Sequence, residues 1–516
     1  MNLTSGLHQT NVSNPDRMAT RFQGRTLTYG AMQHRVARMA TVFRKHGVRE
    51  GDRVSILALN SDNYLELYFA IWWSGGIASP INTRWSAPEI ASCIEDAKPH
   101  ILLVDNHLRH IFDALPAGCT KICQVIFFGD DEEVPAYPFL DNLIENVPAS
   151  EDARRENNDP AVIFYTGGTT GTPKGVILSH GNLYSASMSR AAMIESSSCS
   201  IVLHTAPFFH VAATGRMIGH TLIGGSAVIL PSFQPQTVLE NIKMYGVSEL
   251  VLVPSMLQAL ISQSGFDSLA MSSVRRISYG ASTMSEDVLD LALQFFPKAE
   301  FVHTYGMTEA PPPITLNPHI NHVGEARKMG LHRSVGRAAK GVRLKIIDRN
   351  GRETKAFEIG EVVVHGPNVM LGYWGKPEET SAVLDDGWMH TGDGGYLDGD
   401  GYLYLVDRLK DMIISGGENV YSAEVENAIS QHPSVAANAV IGIPHEKWGE
   451  SVHAVIVLLP GATLSFEELR NHCKTLIAGY KCPASIEFCE QLPMSSVGKI
   501  LKTVLREPYW RLDKVQ

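Results

Sequence analysis

The 516-residue sequence predicts an α/β protein, and three observations predict it. Short apolar runs alternate with stretches of helical period through the first two thirds of the chain, the pattern of βαβ units and parallel sheets. From about residue 335 the texture becomes strand-rich, with turn residues between the strands. Beyond residue 411 the remainder is long enough to form a small α+β domain.

In residues 31–43 the apolar side chains Met32, Val36, Met39, Ala40 and Phe43 recur at helical spacing. Gly51-Asp52 turns the chain into an apolar strand at 54–59. Residues 63–73 read as a helix stopped by Gly75-Gly76, followed by a strand at 77–81, a helix at 88–96 and a strand at 101–104. Residues 161–164 form a further apolar strand. In the middle third, strands at 250–253, 276–279 and 301–304 are separated by helical stretches such as 286–296. The last two strands end in polar, Gly-containing loops at 279–282 and 305–309. Ligands of open α/β sheets sit beyond the carboxyl ends of strands, so both loops are site candidates. Residues 343–347 and 361–365 read as strands, and the charged stretch 407–411 lies between two apolar strands and marks a boundary.

Composition narrows the function classes. Lys and Arg number 44 against 54 Asp and Glu, a net charge of −10, which argues against nucleic acid, whose binding rests on basic contacts to phosphate. Hydrophobic residues at 44% and charged residues at 19% describe a folded globular chain and exclude wholesale disorder. The longest apolar runs, 68–73 and 454–459, fall far short of the ~18 residues of a membrane helix, so no membrane span is expected. The N-terminus lacks a basic region followed by an apolar core, so no signal peptide is expected, and the final DKVQ matches no retention or peroxisomal address. The seven cysteines, odd in number and without a CxxC pair, signal neither a disulfide framework nor a zinc ribbon and fit a reducing, cytoplasmic compartment.

The most informative stretch is Tyr165-Thr-Gly-Gly-Thr-Thr-Gly-Thr-Pro-Lys-Gly175, after the strand at 161–164. Gly167, Gly168 and Gly171 let backbone N–H groups approach an anion. Thr166, Thr169 and Thr170 add hydroxyl donors, and Lys174 supplies charge for phosphate. Glycines alone would equally suit a flexible polar turn; the threonines and the lysine favour a polyphosphate cradle. A Walker A loop is excluded, because Pro173 precedes the lysine and Gly175 follows it. The run Asp398-Gly-Asp400-Gly reads as turns, since it lacks the terminal Glu of a calcium loop.

This stretch resembles the signature loop of the adenylate-forming superfamily, which includes acyl-CoA synthetases. The resemblance extends over nearly the whole chain. Tyr305-Gly-Met-Thr-Glu309 resembles the second core motif, Trp388-Met-His-Thr-Gly-Asp393 the ribose motif and Asp407-Arg-Leu-Lys-Asp411 the hinge. Gly416-Gly-Glu-Asn-Val-Tyr421 with Glu424 resembles the glycine loop after the hinge, and Pro493-Met-Ser-Ser-Val-Gly-Lys499-Ile-Leu-Lys502 the C-terminal lysine motif. Two departures stand out: Gly168 replaces a more usual serine and Ser422 a more usual proline.

The resemblance implies a large N-terminal domain of stacked mixed and parallel sheets, residues 1–409, β-rich from about 335 to 409. A small mobile α+β domain, 410–516, would follow it. It implies ATP, Mg²⁺ and CoA as co-substrates and cofactor, and a small-molecule carboxylic acid as partner. Members are often homodimers, and no stretch of this sequence marks an interface.

The resemblance also implies residue roles. Glu309 would hold Mg²⁺, since a carboxylate facing a triphosphate needs a cation between. Thr308 would donate to the α-phosphate, Tyr305 would stack on adenine, and Gly306 and Met307 complete that motif. Gly280, Ala281 and Ser282 would line the adenine and carboxylate side. Asp393 and Arg408 would bind the ribose. Lys499 would offset charge between the attacking carboxylate and the α-phosphate, entering and leaving as the small domain turns about Lys410. Gly416 and Gly417 would line the CoA tunnel.

Pro207-Phe-Phe-His-Val-Ala-Ala213 matches the segment lining the acyl pocket, with Phe209 and His210 bordering the carboxylate and Val211 and Ala212 small and apolar. A medium or longer aliphatic chain or an aryl-propenoic acid is therefore expected. Arg216 is expected on an outer helix face; turned inward, it would pair with a second carboxylate or a polar tail. The expected activity is an ATP-dependent acyl-CoA synthetase that forms acyl-AMP and pyrophosphate and then the thioester. The alternative is adenylation with a carrier-protein thiol or an amine as acceptor, and the lack of a following carrier domain favours free CoA.

Overall fold

The computed structural model describes residues 1–116, 118–129, 136–166, 173–263, 266, 271–282, 284–408, 411–415, 418–495 and 500–512, with backbone alone at 120, 122, 408, 419, 511 and 512. The chain forms two compact units: Met1–Arg343 with Val364–Met389, and Leu344–Val363 with His390–Gln516.

The larger unit holds two sheets. One runs in the order Gly372–Tyr373, Lys174–Ser179, Pro160–Thr166, Ile77–Pro80, Arg53–Leu57, Ile101–Asp105, Gln124–Phe128. Its last five strands are parallel neighbours, and the first three pair antiparallel. The other has nine strands, with a parallel centre that includes Glu300–Tyr305, Arg276–Gly280, Glu249–Leu252, Ile201–His204 and Ser226–Ile229. Its far edge is the hairpin Met18–Phe22 and Arg25–Thr28.

Helices fill the space between these sheets. The helix Asp62–Ser74 is buried along its whole length and touches strands of both sheets. Its composition explains this: Leu65, Tyr68, Phe69, Ile71, Trp72 and Trp73 make most of its surface apolar, and Arg25 and Arg35 pair with its polar Asp62, Asn63 and Glu66. Ser61 caps its start by accepting from Tyr64 N at 3.0 Å. Gly75, left-handed at φ +94°, ends it. The helices His180–Met193 and Val211–Leu222 pack on one another in the same layer.

The expected strands and helices are present, with ends shifted by a few residues: Tyr29–Lys45, Arg53–Leu57, Ala87–Ala97, Glu249–Leu252 and Glu286–Phe295 among them. In the smaller unit, Glu418–Val420, Ile413–Ser415, Gly449–Leu458 and Val435–His445 form a sheet joined by Ser485–Phe488. The helices Ser422–Ser430 and Phe466–Lys474 bury Val425, Ile429, Leu469 and Cys473 with it. Asp398 accepts from the N–H groups of Asp400 and Tyr402 at 3.0 and 2.9 Å, the turn expected there. All seven cysteines are free thiols. Among the described residues no helix is long and apolar enough to cross a membrane.

Five histidines are held neutral in the interior. Burial pushes the pKa down from 6.5 to about 4 at His180, His220 and His303, to about 3 at His322, and well below 6.5 at His204. The unfolded chain binds these protons more readily, so this stability is present above pH 6.5 and lost as pH falls toward 4. The melting temperature is expected to drop steadily across that window; a flat profile would contradict the assignment.

Candidate active site

The strands Arg276–Gly280 and Glu300–Tyr305 run parallel, with Gly280 opposite Thr304. Their carboxyl ends therefore bring the loops 280–282 and 305–309 side by side. A Cβ on Gly280 would collide with the Thr304 carbonyl oxygen, so glycine permits this approach. Ala281 sits in the left-handed region at φ +69°, a strained conformation for a residue with a Cβ. Below the loops, Tyr279 stacks on His303 with centroids 4.6 Å apart and donates its hydroxyl to Nε2 of His322 at 2.8 Å. His322 Nδ1 donates to the Pro318 carbonyl at 2.9 Å, and a ring that donates at Nδ1 while accepting from Tyr279 at Nε2 is neutral. The 305–309 loop is closed by Met307 N donating to Ala310 O at 3.1 Å. Tyr305 is buried at its start; Thr308 and Glu309 are half-buried.

The hairpin Pro160–Thr166 and Lys174–Ser179 brings Thr166 opposite Lys174. Gly167, Gly168, Thr169, Thr170 and Gly171 lie outside the described residues. Lys174 Nζ stands over the Tyr373 ring, 5.3 Å from its centroid. The Tyr373 hydroxyl donates to Glu309 Oε1 at 3.0 Å, and Met370 N donates to Glu309 O at 2.9 Å. Tyr373 thus ties the cradle lysine to the carboxylate of the second motif. Burial and the Glu309 carboxylate hold its hydroxyl protonated far above the usual range. Its only sequence signal is an aromatic pair between Gly372 and Gly375. Tyr373→Phe is expected to cost about 1 kcal/mol, roughly fivefold, in ATP-dependent turnover, read by pyrophosphate release. An unchanged rate would show that Glu309 does not depend on this donor.

Among the described residues no group of three or more His, Cys, Asp or Glu side chains is placed to hold a metal. Glu309, with one oxygen engaged by Tyr373, fits a cation that arrives with polyphosphate, since Mg²⁺ sites commonly take one carboxylate plus phosphate oxygens and water.

The segment before the helix Val211–Leu222 is tightly held. The Phe208 carbonyl accepts from the Tyr68 hydroxyl at 2.7 Å and Thr214 Oγ1 at 2.5 Å, and Phe208 N donates to Asn60 Oδ1 at 2.8 Å. Phe209 and Val211 are buried, His210 is half-buried with its ring 4.6 Å from that of Phe209, and Ala212 is exposed. Arg216 corrects the expectation of an outer face. It is buried and ion-paired with Glu249, because the helix is packed against its neighbours beyond its first turn and Glu249 supplies the counter-charge.

In the smaller unit, Asp393 is buried and lies opposite Arg408 across an antiparallel pair. Asp393 N donates to Thr391 Oγ1 at 3.1 Å, and Thr391 Oγ1 donates to Val362 O at 2.7 Å. The Asp407 carboxylate accepts from Ser422 N and Oγ at 2.6 and 2.5 Å, and Arg506 pairs with Asp411 at 2.9 Å. Lys502 pairs with Glu426 at 2.8 Å. The side chain of Arg408, and Lys410, Gly416, Gly417 and Lys499, lie outside the described residues.

Comparison with known proteins places this geometry among relatives. Residues 7–374 match the family described as AMP-binding enzyme, and residues 424–499 match the AMP-binding enzyme C-terminal domain. The chain is 38% identical to a feruloyl-CoA synthase of Amycolatopsis sp, covering 96% of each chain. It is 33% identical to the fatty acid–[acyl-carrier-protein] ligase ScoC of Streptomyces coeruleorubidus, covering 96% of this chain and 94% of the relative. Among solved structures, ATP-bound MatB from Rhodopseudomonas palustris superposes with a TM-score of 0.88 at 29% identity, over 99% of this chain and 100% of that one.

Proposed function

The chain belongs to the AMP-binding enzyme family and is an acid–thiol ligase, and from that premise we propose that it activates a carboxylic acid with ATP and passes the acyl group to CoA. The observation that carries the reading is the convergence of Lys174, Tyr373 and Glu309 beside the loop ends at 280–282 and 305–309. A cation, a hydroxyl and a carboxylate meet there beyond the carboxyl ends of parallel strands, where such sheets bind ligands.

In the first step a carboxylate oxygen of the acid attacks the α-phosphorus of ATP, and the bond to pyrophosphate breaks. Lys174 and the backbone of 167–171 bind phosphate, Thr308 donates to the α-phosphate, and Tyr305 with 280–282 seats the adenine. Glu309 would hold a Mg²⁺ that arrives with the nucleotide and offsets triphosphate charge. Lys499 offsets the charge that grows between the two anionic reactants. Asp393 and Arg408 bind the ribose. In the second step the CoA sulfur attacks the acyl carbon and AMP leaves, with Gly416 and Gly417 making room for the pantetheine arm. The 410–516 segment changes position between the steps about Lys410. The free cysteines fit a cytoplasmic setting.

The acid is of the aryl-propenoic or the medium- to long-chain fatty type, supported by the apolar Phe209 and Val211 and by the similarity to a feruloyl-CoA synthase. Similarity to an acyl-carrier-protein ligase favours a carrier thiol as the second reading. The test is mass spectrometry of thioesters formed from a mixture of aryl-propenoic and aliphatic acids with ATP, offering CoA and a phosphopantetheinylated carrier protein together. Acyl-CoA as the dominant product supports the proposal; acyl-carrier as the only product overturns the choice of acceptor.

A further inference from the structure

Deep in the larger unit, Arg216 and Arg276 share one buried carboxylate, that of Glu249, and a third arginine, Arg190, lies in the same charge cluster. Arg190, on the helix His180–Met193, is 8% exposed, Arg216 is 4% exposed, and Glu249 is 2% exposed. Arg216 pairs with Glu249, and Arg276 approaches the same carboxylate at 3.6 Å while pairing with the half-exposed Glu300 at 2.7 Å. The charges that act on Arg190 are those of Arg216, Glu249 and Arg276. His204 and His220 complete the surroundings as neutral rings. Nε and Nη2 of Arg190 are buried without a hydrogen-bond partner.

This balance is unfavourable without another anion. A guanidinium does not shed its proton to escape burial as a lysine does. A buried charge with unsatisfied donors costs several kcal/mol, and such groups are retained where something pairs with them. Arg216 engages Glu249 through Oε2 and leaves Oε1 buried without a hydrogen-bond partner, but a single carboxylate among Arg190 and Arg216 still leaves one guanidinium's worth of positive charge uncompensated inside.

The place of the cluster says what would pair with it. Ala212 and Arg216 are one turn apart on the same face of the helix Val211–Leu222. Ala212 is exposed, so that face is open at its His210 end. Arg216 lies six residues beyond His210, about 9 Å along the axis. The helix of Arg190 is pinned against this one by Ser187 Oγ, which donates to Gly215 O at 3.1 Å, and Arg190 follows Ser187 by one turn. An extended acid with its carboxylate at His210 would send its far end toward the two guanidinium groups.

We propose that Arg190, with Arg216, is the specificity site for an oxygen acceptor at the far end of the acid, a second carboxylate or a phenolate. The inference rests on the acid-activating reading above, and it narrows the substrate class to acids that are apolar in the middle and polar at both ends.

The test compares wild type with Arg190→Met and Arg190→Lys. The kcat/KM for thioester formation is measured for cinnamate, 4-hydroxycinnamate and 4-carboxycinnamate, and for octanoate against its ω-carboxylated counterpart, suberate. Each enzyme is scored by its own ratio of polar-ended to unsubstituted acid, which a general loss of folding does not move. Wild type is expected to prefer the polar-ended acid in at least one pair, and Arg190→Met to lower that ratio roughly 10- to 100-fold, with Arg190→Lys between. The 4-hydroxy and 4-carboxy arms separate phenolate from carboxylate. Arg190→Met is also expected to melt no lower than wild type, because it removes an unpaired buried charge. A ratio indifferent to the substitution, or a wild type that prefers the unsubstituted acid in all three pairs, overturns the proposal. Calorimetric titration of 4-carboxycinnamate and suberate into the same proteins keeps the two readings apart. If no acid is turned over but binding still depends on Arg190, the ligase reading fails and this one stands. Binding that is absent or independent of Arg190 overturns this one.

Discussion

Replacing Lys499 with alanine is expected to lower acyl-adenylate formation by about 10²- to 10³-fold, the loss seen when one preorganised charge donor is removed from a developing anion. Both reactants of that step are anionic, and Lys499 is the residue through which the motif would place a positive charge between them. The thioester half-reaction, started from preformed acyl-adenylate and CoA, is expected to persist in the variant. Adenylation is followed as single-turnover pyrophosphate release and the second step as CoA-dependent AMP release. Equal loss in both steps would point to a structural role for Lys499, and adenylation at the wild-type rate would remove it from the mechanism. Lys502, three residues on, is already committed to Glu426 at 2.8 Å and does not offer a substitute charge.

Trp72→Ala is expected to cost about 3–5 kcal/mol of folding stability, the range for emptying a large aromatic site in a core. Trp72 is fully buried, its centroid lies 5.4 Å from that of Tyr68 and 5.3 Å from that of Phe69, and its Nε1 donates to Ala161 O at 2.9 Å. The substitution therefore opens a cavity and strands a backbone carbonyl in the strand Pro160–Thr166, which precedes the glycine-rich stretch 167–171. Urea denaturation followed by tryptophan fluorescence and circular dichroism measures the loss. A shift below about 1 kcal/mol, within the range of ordinary surface changes, would show that the helix Asp62–Ser74 is not the pillar between the sheets.

The parts of the fold legible in the sequence are those set by local pattern. The helix Asp62–Ser74 shows as an apolar run stopped by Gly75-Gly76, and Gly75 ends it in the left-handed region; the Ser61 cap at its start is seen only in the structure. The strands that end at Gly280 and Tyr305 show as short apolar runs closed by polar loops, and their parallel register makes the two loops neighbours. What was not legible depends on residues far apart in the chain. The strand Met18–Phe22 joins the nine-stranded sheet by pairing with Ser226–Ile229, about two hundred positions later, and nothing in either segment names the other. Arg216 has the look of a surface arginine until Glu249 is brought beneath it. Tyr373 carries no motif of its own, and its importance comes from lying between Lys174 and Glu309. The roles of Lys499, Lys410, Gly416 and Gly417 rest on sequence resemblance, since these residues lie outside those described.

The most direct test of the central claim is acid-dependent pyrophosphate release from ATP, measured for a panel of aliphatic, aryl-propenoic and dicarboxylic acids with and without CoA. The account predicts a single burst of pyrophosphate without CoA, and sustained turnover to AMP and acyl-CoA when CoA is added, for one class of acid. Turnover to ADP and phosphate, or pyrophosphate release that no acid stimulates, would contradict it.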